Sequence, residues 1–455
     1  MSEDYSAFLA RKALTDPPTG LADIPELPAA LFPHQRDIVR WALRRGRAAI
    51  FAQTGLGKSL MELAWGHGIH RATGGDVLLL TPLAVAGQMV REAGKFGLAA
   101  KQCACQAEVE PGITVTNYAK LHHFDLSCFT GVILDESSIL KAFDGKTRSM
   151  LIDLCARVPY RLAASATPAP NDFMELGNHA EFLGVMSLSG MQATFFTHDG
   201  GDTSKWRLKG YAEDDFWRWM CSWSVLLRRP SDLGYDDGAY ALPELVTLEH
   251  LVDVEGPAAK TLSERLKARR ESIAERVARA VELTPAEGPF MWWCNLNDEA
   301  DALVAAIPGA VQVSGSDKED EKERKLRAFA VGEIRVMVSK PKICGFGMNF
   351  QICADTGFVG LNDSFEQVYQ AVRRFWRFGQ TRPVTVHFVA ASTEGAVLEN
   401  LKRKEADAER MGAAMVAQMA DLSSDIIHGA ARETDEYKPT IPVAVPFWLA
   451  PEEAL

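Results

Sequence analysis

Short apolar runs recur along the chain, and helical segments of mixed polarity separate them. In the first half the runs are AAIFA, VLLLTP, ITVTNY, GVILDE and RLAASATP, and in the second half FMWWCN, VQVSG, IRVMVS, GFVGLN and VTVHFVA. Continuous apolar runs that alternate with helices are typical of parallel strands covered on both faces. The pattern therefore predicts an α/β protein with two parallel-sheet lobes.

Between the two series, the segment 181–249 has Gly- and Asp-rich loops and one aromatic helix. In that helix Phe216, Trp219, Met220 and Trp223 recur at helical spacing, which predicts a stripe packed in a core. The expected organisation is a leader over 1–30, a first lobe with this connector over 31–249, a second lobe over 250–392, and a C-terminal helix with a Pro-containing tail over 393–455.

The amino-acid composition indicates a globular protein and limits the partners and metal sites that we expect. The 455 residues are 47% hydrophobic and 24% charged, which is typical of a globular protein. No apolar run approaches the ~20 residues of a membrane helix, and the N-terminus lacks an apolar signal core, so we expect neither a membrane span nor export. The net charge of −11 means that a nucleic-acid partner has to bind a local basic track. The eight scattered cysteines form no CxxC pair, which disfavours a zinc site.

The stretch AAIFAQTGLGKSLMELAWG reads as a strand, a glycine-bearing turn and a helix. Such a turn lets backbone N–H groups wrap phosphate oxygens at the positive end of the helix dipole. The lysine would reach the terminal phosphates, and the serine hydroxyl would hold Mg²⁺. Ala52 replaces the first glycine of the usual pattern. The predicted nucleotide-binding residues of the loop are Thr54, Gly55, Leu56, Gly57, Lys58 and Ser59.

Two further features extend this site. Gln35 precedes an amphipathic helix, and its amide can pair with the adenine edge, which would favour ATP. The run VILDE ends in Asp135 and Glu136. Alone these acids fit the polar end of any buried strand. With a phosphate loop upstream, Asp135 is expected to hold Mg²⁺ and Glu136 to orient and deprotonate the attacking water.

Four more segments carry a resemblance to a known family. RLAASATPAPN looks like the segment that couples nucleotide to nucleic acid in superfamily two helicases and translocases. QAVRRFWRFGQTRPV closely resembles the arginine motif of Swi/Snf-type ATPases, and CGFGMNFQICADTGFVGLN and VLLRRPSDLGYDDGAYALPELV resemble two other segments of that family. The match runs from about Leu31 to Ala391 and looks like a compact bacterial or phage form. The resemblance implies two RecA-like lobes with an ATP cleft between them.

The resemblance also implies roles for individual residues. Arg374 and Arg377 would act as arginine fingers from the second lobe, and Gln370 and Gly347 would lie on the nucleotide side. Ser165 and Thr167 would couple the two sites, whereas Ser138 replaces the usual His or Asp of the acidic box and puts that coupling in doubt. The residues implied for the nucleic-acid track are Thr81, Pro82, Tyr118, Ser339 and Lys340.

The sequence therefore predicts an ATP- and Mg²⁺-dependent motor on DNA, with duplex favoured over single strands or RNA. Its expected setting is the cytoplasm of a bacterium or a phage-infected host, as a monomer with a possible protein partner at the C-terminal tail. A strand-separating helicase, an ATP-controlled DNA clamp and the motor subunit of a larger assembly stay open as alternatives.

Overall fold

The computed structural model describes residues 18–82, 85–141, 146–169, 173–199, 202–344, 349–361, 364–394 and 397–428. The helices are α1 (Pro33–Arg45), α2 (Lys58–Thr73), α3 (Ala86–Lys95), α4 (Lys146–Cys155), α5 (Leu176–Leu183), α6 (Leu188–Phe195), α7 (Glu213–Trp223), α8 (Leu262–Glu271), α9 (Ile273–Leu283), α10 (Asn297–Ala306), α11 (Glu319–Ala330), α12 (Pro341–Cys344), α13 (Phe365–Val372) and α14 (Val397–His428). The strands are β1 (Arg47–Ala52), β2 (Asp76–Thr81), β3 (Ala100–Gln102), β4 (Ile113–Asn117), β5 (Phe129–Asp135), β6 (Tyr160–Ser165), β7 (Phe196–Asp199), β8 (Asp202–Leu208), β9 (Ser224–Leu227), β10 (Leu245–Val252), β11 (Phe290–Cys294), β12 (Val311–Val313), β13 (Val336–Ser339), β14 (Asp355–Val359) and β15 (Val384–Ala391).

Seven strands form the first sheet in the order β3-β4-β2-β5-β6-β1-β9, and every pair is parallel. Apolar side chains on the two faces enter two separate cores: Ile133 of β5 packs in one and Leu134 in the other. Alternation along a strand sends neighbouring side chains to opposite faces. The sheet is therefore buried on both sides, which explains its unbroken apolar runs.

Six strands form the second sheet in the order β10-β15-β14-β11-β13-β12, again all parallel. Trp292 and Trp293 of β11 are fully buried on opposite faces, in two distinct cores. All ten apolar runs lie in strands of these two sheets. The prediction of an α/β protein with two parallel-sheet lobes is confirmed, and its topology is that of two RecA-like lobes.

Some strands lie where the sequence has no continuous apolar run. Strand β9 adds to the first sheet beside β1 from within the expected connector, and β7 and β8 form a small antiparallel hairpin there. Strand β10 borders the second sheet and starts at Leu245, ahead of the lobe boundary expected at residue 250. As an edge strand it leaves Leu248 and Leu251 exposed, so its pattern mixes polar and apolar residues.

Helix α7 carries the aromatic stripe expected from the sequence. Phe216, Trp219, Met220 and Trp223 are all buried in one core of the first lobe, so the prediction of a packed stripe is confirmed. The sulfur of Cys221 on the same helix lies 3.7 Å from the hydroxyl oxygen of Ser423. Helix α7 is thus where the C-terminal helix meets the first lobe.

Helix α14 belongs to both lobes. Val397 and Leu401 near its start are buried in a core of the second lobe. Met415 and Met419, farther along, are buried in a core of the first lobe. With 32 residues at about 1.5 Å each, the helix spans about 48 Å. It therefore ties the two lobes together after the chain has completed both sheets.

A fully buried ion network supports the second lobe. The Arg276 guanidinium lies 2.8 Å from a Glu299 carboxylate oxygen and 3.3 Å from one of Glu394. Arg269 lies 3.1 Å from the second Glu394 oxygen. Glu299 also accepts hydrogen bonds from the backbone N–H groups of Asn295 and Leu296 at the start of α10. The network links helices α8, α9 and α10 with the chain that leaves β15.

Replacing the central arginine should destabilise this lobe. In Arg276→Ala, Glu299 loses its buried cationic partner and Glu394 keeps only Arg269, so we expect the free energy of unfolding to fall by about 3–5 kcal/mol. Denaturant titration followed by circular dichroism measures it. The control is Arg324→Ala, which removes an exposed pair with Glu321 and should change stability by less than about 1 kcal/mol. Equal effects of the two variants would contradict the role given to the network.

Candidate nucleotide site between the lobes

The phosphate-loop segment connects β1 directly to α2. Gly55 and Gly57 adopt φ of 97° and 79°, where a side chain strains the backbone. A Cβ added at Gly57 would lie 2.3 Å from the Gln35 amide nitrogen, so space also requires glycine there. The Lys58 ammonium donates to the Ala52 carbonyl at 2.8 Å, across the loop from its own position. The segment is thus a tight turn whose lysine reaches back to the end of β1.

Gln35 supports the loop from outside. Its amide nitrogen donates to the Leu56 carbonyl at 2.9 Å and to the Tyr240 hydroxyl at 3.2 Å. Its amide oxygen accepts from the Phe32 N–H at 3.0 Å, and the side chain is 2% exposed. Both ends of the amide therefore bind protein groups that shape the loop. Selection of adenine by Gln35 stays a prediction, and bracing of the loop is the role that its contacts display.

The acid pair stands at the carboxyl end of β5, the same edge of the sheet as the loop that follows β1. Glu136 has a φ of 53°, and no other non-glycine residue of the described ranges has a positive φ. One of its carboxylate oxygens is buried without a hydrogen-bond donor in the described part. A strained backbone at an acid with a buried, unpartnered oxygen is typical of functional sites.

Asp135 accepts hydrogen bonds from two side chains that were predicted for the nucleic-acid track. The fully buried Thr81 hydroxyl donates to the Asp135 carboxylate at 2.7 Å, and the Tyr118 hydroxyl donates to its backbone carbonyl at 2.6 Å. Burial, followed by the charge of Glu136, raises the pKa of Asp135 to about 7, while the Thr81 hydrogen bond and Lys58 oppose the rise. In this arrangement the hydroxyls of Thr81 and Tyr118 position the acid pair. Their expected contact with a nucleic acid stays a prediction, and these hydrogen bonds are the contacts that the two hydroxyls make in the structure.

Glu62 belongs to the same buried group, although the sequence analysis did not single it out. It is 1% exposed, and neither carboxylate oxygen has a hydrogen-bond donor in the described part. Burial, then the charge of Asp135, raises its pKa well above the usual value, and Lys58 acts in the opposite direction. It lies one helical turn after Lys58. The sequence signal for Glu62 is an acidic residue four positions after Lys58, inside the apolar run LMELAW.

Arg374 brings positive charge from the second lobe. Its guanidinium donates to the Gln370 carbonyl and side-chain oxygen, each at 3.2 Å, so Gln370 positions this arginine. Burial and then the neighbouring Arg377 lower the pKa of Arg374 to about 10, while Glu136 and Asp135 raise it. The second-lobe arginine thus lies within the electrostatic field of the first-lobe acids.

Arg377, three residues after Arg374, is partly exposed. Burial lowers the pKa of its guanidinium, and the carboxylate of Glu92 on α3 opposes that change. Next to it, the Phe378 backbone nitrogen would lie 3.0 Å from a Cβ added at Gly55. The arginine motif therefore packs against the phosphate loop itself. Gly347, expected on the nucleotide side, lies outside the described residues.

The residues expected to couple the two sites lie beneath the acid pair. The Ser165 hydroxyl accepts from the Thr167 N–H at 3.1 Å, and the Thr167 hydroxyl is buried with no partner in the described part. Ser138 is 9% exposed, but the hydroxyl that meets a helix is that of Ser137, 3.1 Å from His179 on α5. The sequence analysis missed His179, since a lone histidine in an apolar helix carries no distinct signal.

His179 is neutral at physiological pH, because burial lowers its pKa to about 4. Its other ring nitrogen lies 3.4 Å from the Glu175 carbonyl, and its ring packs edge-on against Phe51 of β1. The histidine therefore joins the acidic box to the strand that precedes the phosphate loop. This contact is a physical route between the residues after Glu136 and the core of the sheet.

The remaining residues expected on the nucleic-acid track differ in exposure. Ser339 is 1% exposed and its hydroxyl donates to the Val313 carbonyl at 2.8 Å, so its side chain contacts the sheet, and its role toward a nucleic acid stays a prediction. Lys340 donates to the Asn297 side chain at 2.7 Å and lines a cavity of about 100 Å³ at the carboxyl ends of β11, β12 and β13. Pro82 is partly exposed. Of this set, Lys340 is the one with a cationic group at a surface.

Within the described ranges, no three His, Cys, Asp or Glu side chains are arranged to hold a metal ion by themselves. None of the described helices is long and apolar enough to cross a membrane.

Comparison with known proteins gives a likeness to solved structures. No protein-family model matches the sequence, and no curated relative matches it. Among solved structures, the chain is similar to the SWI2/SNF2 ATPase core of Sulfolobus solfataricus in complex with dsDNA, with 16% identity and a TM-score of 0.42. The superposition covers 91% of this chain and 97% of that chain. At this score the likeness carries no argument about individual residues, and the fold class rests on the two sheets themselves.

Neutralising the unpartnered acid should stabilise the fold in metal-free buffer. Burial raises the folded-state pKa of Glu62 above its usual 4.5, so the group costs stability at any pH above that value. We expect Glu62→Gln to raise the free energy of unfolding by about 1 kcal/mol or more at pH 8. The gain should shrink toward pH 4, where the carboxyl is protonated in both states. Denaturant titrations at the two pH values measure it, and a variant less stable at pH 8 would contradict the unpartnered burial of Glu62.

Proposed function

We propose that the protein is an ATP-dependent motor on double-stranded DNA, of the Swi/Snf-like type, in which hydrolysis at the cleft drives movement along the duplex. One observation carries the proposal. Arg374 from the second lobe lies in the electrostatic field of Asp135 and Glu136, at the sheet edge that bears the phosphate loop. Phosphoryl transfer needs this combination of a backbone cradle, adjacent acids and a cross-lobe guanidinium.

The residues present fit a nucleotide with Mg²⁺. The glycine turn before α2 can present backbone N–H groups to phosphates, and α2 contributes its dipole. The raised pKa of Asp135 and the unpartnered oxygens of Glu62 and Glu136 mark a region where the acids outweigh the nearby positive charge. Ser59 and Asp135 would hold the cation. When bound, Mg²⁺ neutralises phosphate charge and helps to fix the orientation of the phosphates.

Each remaining residue has a role at a stated atom. The Lys58 ammonium exchanges the Ala52 carbonyl for phosphate oxygens. The Glu136 carboxylate orients the attacking water and accepts its proton. The guanidinium groups of Arg374 and Arg377 stabilise the negative charge that develops on the transferred group. Because these groups come from both lobes, hydrolysis depends on lobe closure, and lobe movement then follows the state of the nucleotide.

The Swi/Snf-like arginine motif favours tracking along the duplex without strand separation. ATPase rates with duplex, single-stranded and branched DNA and with RNA, measured beside triplex displacement and strand displacement, test this directly. Duplex-stimulated turnover with triplex displacement supports the motor. Duplex-stimulated turnover without any displacement rejects movement in favour of a clamp, and strand displacement rejects the translocase in favour of a helicase.

Glu136→Gln should abolish turnover and retain ATP binding. The amide keeps the shape of the carboxylate but cannot accept the proton of the attacking water. We expect the rate to fall by about 10² or more, with the affinity for a fluorescent ATP analogue within a few-fold of native. Hydrolysis near the native rate would show that Glu136 does not activate the water.

Arg374→Ala and Arg377→Ala should each lower the maximal rate by about 10³ or more, because each removes a charge from the transition state. Arg382→Ala is a matched control, since this arginine lies in the same segment and its exposed side chain donates to the Ile352 carbonyl. Thermal melts establish that the variants fold. Native rates in both Arg374→Ala and Arg377→Ala would remove the cross-lobe mechanism.

A further inference from the structure

Gln53 is the first residue after β1, and both of its backbone polar groups are fixed. Its N–H donates to the Leu227 carbonyl at the end of β9 at 3.0 Å. Its carbonyl accepts from the Leu56 N–H within the loop at 3.2 Å. The residue therefore moves together with the phosphate loop and with the end of the first sheet.

The Gln53 side chain crosses to the second lobe. With the amide oriented so that both of its ends find a partner, its nitrogen donates to the Arg228 carbonyl at 2.9 Å, and its oxygen accepts from the Arg373 guanidinium at 2.9 Å and from the Tyr369 hydroxyl at 3.3 Å. Tyr369 lies on α13 and Arg373 directly follows that helix. A single amide thus joins the phosphate-loop side of the cleft to the segment that carries Arg374.

The second-lobe side of this contact is preorganised. The Arg373 guanidinium is 6% exposed and lies over the rings of Tyr369 and Trp376, 5.0 and 4.3 Å from their centres. The Trp376 indole N–H donates to the carbonyl of Pro243, in the chain that links the lobes, at 2.6 Å. Stacking on two aromatic rings fixes the position of the guanidinium. It therefore loses little conformational freedom when it binds the Gln53 amide. The position of the Arg373 guanidinium is therefore tied to that of the whole arginine segment.

We propose that Gln53 is a positioning residue that holds the arginine segment against the phosphate loop through Tyr369 and Arg373. Resting on the proposed ATPase function, the inference is that this amide couples the state of the loop to the placement of Arg374. An amide suits the position because it donates to the Arg228 carbonyl and accepts from a cation at once. A carboxylate keeps the pairing with Arg373 but has no proton for Arg228, and an aliphatic side chain keeps neither.

Kinetics and an interlobe distance test the proposal together. Gln53→Leu should lower the maximal ATPase rate by about tenfold, the effect of losing a hydrogen bond to a charged group, with the KM for ATP within about twofold of native. Gln53→Glu, which retains the pairing with Arg373, should restore most of that rate. Tyr369→Phe, which removes only the longer hydrogen bond, should change it less than threefold.

The distance is measured without nucleotide between spin labels on encoded keto amino acids at the exposed positions Arg71 and Glu333. We expect one narrow distribution in the native chain and in Gln53→Glu, and a broad one in Gln53→Leu, with melting temperatures showing that all three fold. Equal distributions in the native chain and Gln53→Leu would overturn the proposal. So would a raised KM at an unchanged maximal rate, since Gln53 would then serve only nucleotide binding.

Failure of this inference is distinguishable from failure of the proposed function. If the native protein hydrolyses no ATP with any nucleic acid, the motor is rejected. The distance distributions then still decide whether Gln53 joins the lobes. If the native protein is an active ATPase and Gln53→Leu matches it in both rate and distance, only the role of Gln53 is rejected.

Discussion

Buried negative charge at the end of β5 is the constraint on which the cleft depends. Glu62, Asp135 and Glu136 crowd a region where Lys58 is the nearby cation of the same lobe, and the raised pKa values of Glu62 and Asp135 express that imbalance. Carboxylates in such a region gain from any positive charge that approaches. Arg374 approaches from the second lobe, and a cation bound with phosphate would add more. The acids of the first lobe therefore carry negative charge that this lobe alone does not balance.

The two lobes meet through contacts of different chemistry. Apolar packing of helix α14 into both cores is extensive and insensitive to small changes in the cleft. The amide of Gln53 forms a few directional bonds beside the phosphate loop, and Phe378 packs close to Gly55. Directional bonds break over fractions of an ångström, whereas apolar packing tolerates sliding. The directional bonds of Gln53 therefore suit a reversible step. The apolar packing of helix α14 keeps the lobes together while that step occurs.

Sequence pattern predicted the sheets well because buried parallel strands require continuous apolar runs. It missed β10, an edge strand with a mixed pattern, and β9, a short strand within the connector. The phosphate loop and the acids were recognisable because their chemistry is concentrated in short segments. Side-chain direction was not recognisable: Thr81 and Ser339 end strands as expected, yet their hydroxyls bind Asp135 and the sheet. Gln53, Glu62 and His179 matter through residues distant in sequence, which no local pattern reveals.

Helix α14 also bears on how the chain reaches its fold during synthesis. Met415 and Met419 fill a core whose other residues are nearly all supplied by the first half of the chain. That core stays unfinished until the second lobe has been translated, although domains usually fold in order as they emerge. Until then the apolar side chains beneath α7 have no cover from this helix. The lobe that is synthesised first is thus the one whose core is completed last.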